Sequence, residues 1–104
     1  MKNIDCTLYC ITNSDGMSEE TFLDKVKGAC EGGVTLVQLR EKDRSTLSYY
    51  ELACKVKKIT DAYKIPLIID DRIDVAMAAG CGVHLGAEDM PISVARSIMG
   101  KYAI

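Results

Sequence analysis

The sequence predicts an α/β fold built on a parallel sheet, and three observations carry that expectation. Short apolar runs at residues 8–11, 36–39, 66–69 and 82–85 alternate with longer stretches whose apolar residues recur at helical spacing. Glycines close the helical stretches at Gly32-Gly33, Gly80 and Gly100. Polar residues that can bind or catalyse gather where the apolar runs end, as they do on the ligand face of a parallel βα array.

Leu8-Tyr9-Cys10-Ile11 reads as the first strand, and residues 12–16 as the loop leaving it. Ser18-Glu19-Glu20 opens a helix, its acids at the positive end of the dipole. Phe22, Leu23, Val26, Ala29 and Cys30 supply the helical repeat. After Gly32-Gly33, Leu36, Val37 and Leu39 form a buried second strand that ends in charge. Ser48-x-x-Glu51 has the form of a capping box inside a longer start at Ser45. Tyr50, Ala53, Cys54, Ile59 and Ala62 mark one side of the helix it opens.

Pro66-Leu67-Ile68-Ile69 is a short third strand ending in Asp70-Asp71. A helix from about residue 72 to 79 carries Ile73, Val75, Ala76 and Ala79. Gly82-Val83-His84-Leu85 is the fourth strand, and Gly86-Ala87-Glu88-Asp89 the loop beyond it. Pro91 suits the first turn of a fourth helix bearing Ile92, Val94, Ala95 and Ile98, and Tyr102-Ala103-Ile104 opens a fifth strand. The order βαβαβαβα with right-handed crossovers supplies about four of the eight βα units of a TIM barrel. Such barrels usually run to about 250 residues. The expectation for residues 1–104 is the N-terminal half of a barrel, cut within an apolar strand.

Composition narrows the function classes. A formal charge of −2 argues against a broad electrostatic grip on nucleic acid. Lys25, Lys27, Lys55, Lys57 and Lys58 are interleaved with acids and read as a solvated face. No apolar run reaches membrane-spanning length, and residues 1–5 have no signal-peptide core. Cys6, Cys10, Cys30, Cys54 and Cys81 show no Cys-x-x-Cys spacing and are expected to be buried free thiols in a cytoplasmic protein.

The chemistry centres on Gln38-Leu39-Arg40-Glu41-Lys42. Strand alternation puts Gln38, Arg40 and Lys42 on one side, spread over roughly 13 Å, a length that suits a diphosphate and its ester. Arg supplies a planar fork of donors, Lys a mobile charge and Gln an amide. Asp70 and Asp71 follow the third strand, and Glu88 and Asp89 the fourth. Bases on one strand and carboxylates on the next two suit a Mg²⁺-diphosphate, because Mg²⁺ is held by one or two carboxylates plus substrate phosphates. Helix capping is the competing explanation for Asp70, Asp71 and Asp89 taken singly. His84, the only histidine, is expected to be a packed or hydrogen-bonded barrel residue rather than a base.

Gln38-Leu39-Arg40-Glu41-Lys42-Asp43, Ile69-Asp70-Asp71-Arg72-Ile73-Asp74-Val75-Ala76 and Gly82-Val83-His84-Leu85-Gly86-Ala87-Glu88-Asp89 together resemble the thiamine phosphate synthase family, and residues 8–12 resemble its first strand. The resemblance implies a Mg²⁺-dependent transfer of the pyrimidine-methyl group of hydroxymethylpyrimidine diphosphate onto the nitrogen of a thiazole phosphate. Thiamine phosphate forms and diphosphate leaves. By similarity, Gln38, Arg40, Lys42 and Asp70 contact the pyrimidine diphosphate, with Arg40 and Lys42 as catalytic cations, while Asp71 and Asp89 hold Mg²⁺. Two positions depart from the family pattern: Asp70 stands where Asn is usual, and Ala87 where Gln is common. Most of the thiazole phosphate site is expected beyond Ile104. The alternatives are a thiazole tautomerase relative and a non-catalytic phosphate-binding half-barrel that pairs its open edges with a second copy.

Overall fold

The computed structural model describes residues 6–86 and 89–100. Four strands and four helices alternate: β1 (Tyr9–Thr12), α1 (Glu19–Glu31), β2 (Leu36–Leu39), α2 (Thr46–Ala62), β3 (Leu67–Asp70), α3 (Ile73–Ala79), β4 (Gly82–His84) and α4 (Ile92–Met99). The strands form one parallel sheet in the order β1-β2-β3-β4. The four βα units of the expected fold class are present. The strand foreseen at residues 102–104 lies outside the described residues.

Register sorts the side chains into two faces. Val37 pairs with Leu67, Leu39 with Ile69, and Ile69 with Val83. These residues point towards the helices, where they join Phe22, Val26, Leu52, Val56 and Val75 in one core. The opposite face carries Ile11, Gln38 and Ile68 in one row, and Asp70 with His84 in the next. The polar residues therefore rise towards the carboxyl ends of the strands on the face turned away from the helices.

Several elements begin and end as the sequence implies. Ser18 caps α1, its side chain accepting from the Thr21 amide. Gly80 closes α3 in the left-handed region at φ 73°. Ser45 caps α2, as the longer start implies, and accepts from the Ser48 amide, with Ser48-x-x-Glu51 inside the helix. Other expectations need correcting. The buried face of α2 is Tyr49, Leu52, Ala53, Val56 and Thr60, one position away from the expected side, and Ala62 is exposed. Tyr49 is drawn inward because its hydroxyl finds the Leu39 and Asp70 carbonyls there. Pro91 stands at the N-cap of α4 rather than in its first turn. Of the apolar residues of α4, Ala95 and Met99 reach the core, whereas Ile92, Val94 and Ile98 are exposed. All five cysteines are free, yet only Cys30 and Cys81 are buried; Cys6 is exposed, and Cys10 and Cys54 are half-buried.

Candidate active site

Three consecutive strand ends build the site. β2 stops at Leu39, and the Arg40 amide donates to the Thr12 carbonyl at 2.9 Å, carrying the β1–β2 pairing one residue further. Beyond β3, the Asp71 amide donates to the His84 carbonyl at 2.8 Å, extending the β3–β4 pairing in the same way. Asp71 sits at φ 55°, a left-handed conformation that Asp tolerates better than most residues and that turns the chain towards α3. The Tyr49 hydroxyl, from α2, lies 2.9 Å from the Leu39 carbonyl and 3.2 Å from the Asp70 carbonyl. It ties the ends of β2 and β3 together from within the core, and burial pushes its phenol up to about 12.

On this frame the bases of β2 meet the acids of β3. Lys42 Nζ lies 2.8 Å from Asp70 Oδ2 and 2.9 Å from Asp71 Oδ2, and Arg40 Nε lies 3.6 Å from Asp70 Oδ2. His84 Nδ1 is 3.0 Å from Asp70 Oδ1. Asp70 is thus a buried carboxylate contacted by three groups from two segments, the stretch after β2 and β4. Burial alone would raise its carboxyl, but hydrogen bonds from Lys42 and His84 outweigh burial and hold it below the usual carboxylate range. The two carboxylate hydrogen bonds push Lys42 up to about 12. Arg40 and Lys42 are each about half exposed, so both ends of the cation pair remain open to a ligand.

Helix capping does not account for Asp70 and Asp71. Arg72 occupies the N-cap of α3, no side chain caps that helix, and both carboxylates bond Lys42. Gln38 is placed differently from expectation. It faces the same side but lies one row deeper, buried, and its amide donates to the Tyr9 hydroxyl. Asp89 accepts from the Gly86 amide at 2.7 Å, which closes its own loop after β4 and does not cap α4. Ala87 and Glu88 lie outside the described residues. His84 is hydrogen-bonded as expected, though half exposed rather than packed.

Residues that sequence reasoning passed over support this geometry. Glu41, between the two bases, is buried and turned the other way. It accepts from the Ser14 amide at 2.8 Å, from the Ser14 hydroxyl and from Arg44 Nε at 2.6 Å. Arg44 also reaches Ser14 Oγ at 3.0 Å and Ser48 Oγ at 2.8 Å. The signal was available: alternation that sends residues 40 and 42 to the site sends residue 41 away from it. An apolar cavity of about 310 Å³ opens beside His84, lined among others by Tyr9, Leu36, Ile68 and Ile92.

Among the described residues, no group of three or more His, Cys, Asp or Glu is close enough to form a metal cage. Asp71 and Asp89 both offer hard carboxylate oxygens, the donor type that Mg²⁺ takes alongside water and phosphate.

The fold and these strand ends define a parallel α/β protein with a charged site at the carboxyl edge of its sheet. A family model described as thiamine monophosphate synthase matches residues 8–104, and the chain belongs to that family. It is 54% identical over 102 residues to the thiamine-phosphate synthase of Clostridium acetobutylicum, covering 97% of this chain and 48% of that protein. It is 55% identical over 98 residues to thiamine-phosphate synthase 2 of Streptococcus pneumoniae, covering 93% and 47%. Among solved structures, the thiamine phosphate pyrophosphorylase from Pyrococcus furiosus superposes with a TM-score of 0.82 at 39% identity, over 93% of this chain and 46% of that one. The chain therefore spans about half the length of the relatives it matches. No helix of the described residues is long and apolar enough to cross a membrane.

Proposed function

We propose that this chain carries the pyrimidine-diphosphate side of a thiamine phosphate synthase. The reaction is a Mg²⁺-dependent transfer of a pyrimidine-methyl group from hydroxymethylpyrimidine diphosphate to the nitrogen of thiazole phosphate. The carbon–oxygen bond to diphosphate breaks, a carbon–nitrogen bond forms, and diphosphate leaves. The observation that supports this reading is the meeting of Arg40 and Lys42 with Asp70 and Asp71 across adjacent strand ends.

Each residue has a task that follows from its position. Negative charge grows on the departing diphosphate, and cations already in place stabilise it most where water is sparse. Arg40 offers that charge its guanidinium fork, and Lys42 turns from the two carboxylates to phosphate oxygens. Asp71 and Asp89 would hold Mg²⁺, which when bound neutralises phosphate charge as a Lewis acid. Asp70 holds Lys42 and His84 in register, and the apolar cavity beside His84 suits the flat pyrimidine ring. Gln38 and Tyr9 form a pair in the floor of that face, where the amide orients the ring side of the ligand rather than its phosphates. The partners are small molecules, and the free thiols suit the cytoplasm.

Calorimetric titration of the protein with inorganic pyrophosphate in Mg²⁺ tests the reading. The wild-type chain is expected to bind, and Lys42→Met and Asp71→Ala each to weaken binding by at least about tenfold, as loss of a charge-assisted contact does. Equal affinity in all three proteins would overturn the assignment.

A further inference from the structure

Two cations that must face one ligand need a fixed separation, and neither Arg40 nor Lys42 lies within a strand that would impose it. What fixes the backbone between them is the residue they flank. Glu41 is buried with its side chain directed away from the site, and donors from two different loops converge on it: Ser14 from the β1–α1 loop, through amide and hydroxyl, and Arg44 from the β2–α2 loop. Arg44 closes the ring by donating to Ser14 Oγ and Ser48 Oγ, so the cluster is internally satisfied. Among the described residues no buried side-chain nitrogen or oxygen lacks a partner.

We propose that Glu41 is a positioning residue for the Arg40–Lys42 pair, resting on the reading of that pair as the diphosphate grip. Rotation of the backbone at residues 40–42 moves Glu41 away from Ser14 and Arg44 together, and a buried carboxylate separated from its donors is strongly disfavoured. The Arg40 amide bond to the Thr12 carbonyl lies on the same span, so it reports whether the anchor holds. Ser14 gains a role by the same logic: it couples the loop after β1 to the bases after β2, although it touches neither base.

The test uses two readouts on wild type, Glu41→Gln and the core variant Val56→Ala. Val56 is fully buried in α2, and its truncation lowers stability without touching the Glu41 cluster. Glutamine keeps the length of the side chain but presents an N–H₂ group to donors. In Glu41→Gln the Arg40 amide is expected to exchange with solvent about tenfold faster while the Ile69 amide keeps its protection, a local effect rather than a global one. The Kd for Mg²⁺-pyrophosphate is expected to rise about tenfold, the lower end of what loss of a supporting contact costs a ligand site. In Val56→Ala protection falls across the whole sheet and Kd is unchanged. An Arg40 amide that exchanges at the wild-type rate in Glu41→Gln overturns the proposal, as does a Kd that rises equally in both variants. Should wild type bind no pyrophosphate, the diphosphate reading falls, and Arg40 exchange in the ligand-free protein still decides whether Glu41 anchors the segment. If Glu41→Gln does not fold, Ser14→Ala, which removes the hydroxyl that donates to Glu41 and accepts from Arg44 but keeps the Ser14 amide bond, carries the same pair of measurements with an expected change of about threefold.

Discussion

Replacing Tyr49 by Phe isolates the polar tie between β2 and β3 from the packing around it. The ring is fully buried, and phenylalanine fills the same space, so little cavity arises. What is lost is one hydroxyl proton shared between the Leu39 carbonyl at 2.9 Å and the Asp70 carbonyl at 3.2 Å. Neither carbonyl is orphaned: the Arg72 amide reaches that of Asp70 at 2.8 Å, and the parallel β2–β3 ladder brings the Asp70 amide to that of Leu39. A buried hydrogen bond contributes about 1 kcal/mol net, and with both acceptors still partnered the destabilisation stays near that figure. For a chain of 104 residues that is a fall of roughly 5 °C in Tm. Urea denaturation followed by far-UV circular dichroism measures it, with the m value unchanged. Tyr63→Phe is the matched control: its hydroxyl bonds Glu31 at 3.0 Å on the surface, and its loss is expected to stay within about 0.5 kcal/mol. If the two variants lose equal stability, the buried hydroxyl is not what joins the strands.

Four further outcomes follow from the same structure. Asp70→Asn restores the amide usual in the family and removes one of the two carboxylates on Lys42; Mg²⁺-pyrophosphate is expected to bind roughly two- to fivefold more tightly by calorimetry, and weaker binding would show that Asp70 itself serves the ligand. Asp70 titrates below its ordinary value when folded, so its stabilisation is present above about pH 4 and is lost as pH falls through the folded value; urea midpoints should drop on that limb, and Asp70→Asn should flatten it. Lys42 and Tyr49 are both raised to about 12, so their contributions persist below pH 10 and are lost towards pH 12, and Tyr49→Phe should flatten that alkaline limb. Gly80→Ala meets only Lys57 Cε at 3.7 Å but is forced to φ 73°, and should lose about 1 kcal/mol, whereas Gly28→Ala, inside α1 with open space around it, should gain about 0.5–1 kcal/mol in the same denaturation assay.

Local chemistry made the βα order legible. Ser18, Ser45 and Gly80 act through their own backbone neighbourhood, and each does in the structure what its residue type implies. The pairing of second-strand bases with third-strand acids was legible for a related reason: period-two alternation in a parallel register puts Asp70 and His84 in one row, with Arg40 reaching the same carboxylate. Where a tertiary partner decides, the pattern was ambiguous. Tyr49 and Tyr50 are identical as sequence, and only the two strand-end carbonyls select the first for burial. Gln38 belongs to the same alternating set as Arg40, yet depth along the strand separates them: one lies within the sheet beside Tyr9 and the other past its end. Small apolar character equally failed to place the cysteines: Cys6 is exposed, and Cys10 and Cys54 are only half-buried.

The departure at Asp70 changes how the proposed grip must work. With two carboxylates within 3 Å of one ammonium, Lys42 is held in the ligand-free protein by Asp71, the carboxylate proposed to hold the metal. An isolated Mg²⁺ would have to strip its own tightly held water and displace that ammonium at once, which makes the ion alone a poor ligand. A diphosphate alone meets carboxylates close to the cations it seeks. Arriving together they would complement every charge, with phosphate oxygens meeting Lys42 and Arg40 while Asp71 would hold the metal. On this reading the second acid makes the site selective for the metal-bound diphosphate over either component, and Mg²⁺ affinity measured without pyrophosphate should rise in Lys42→Met, although the same substitution weakens binding of the pair. A lysine whose removal weakens both would have no part in guarding Asp71.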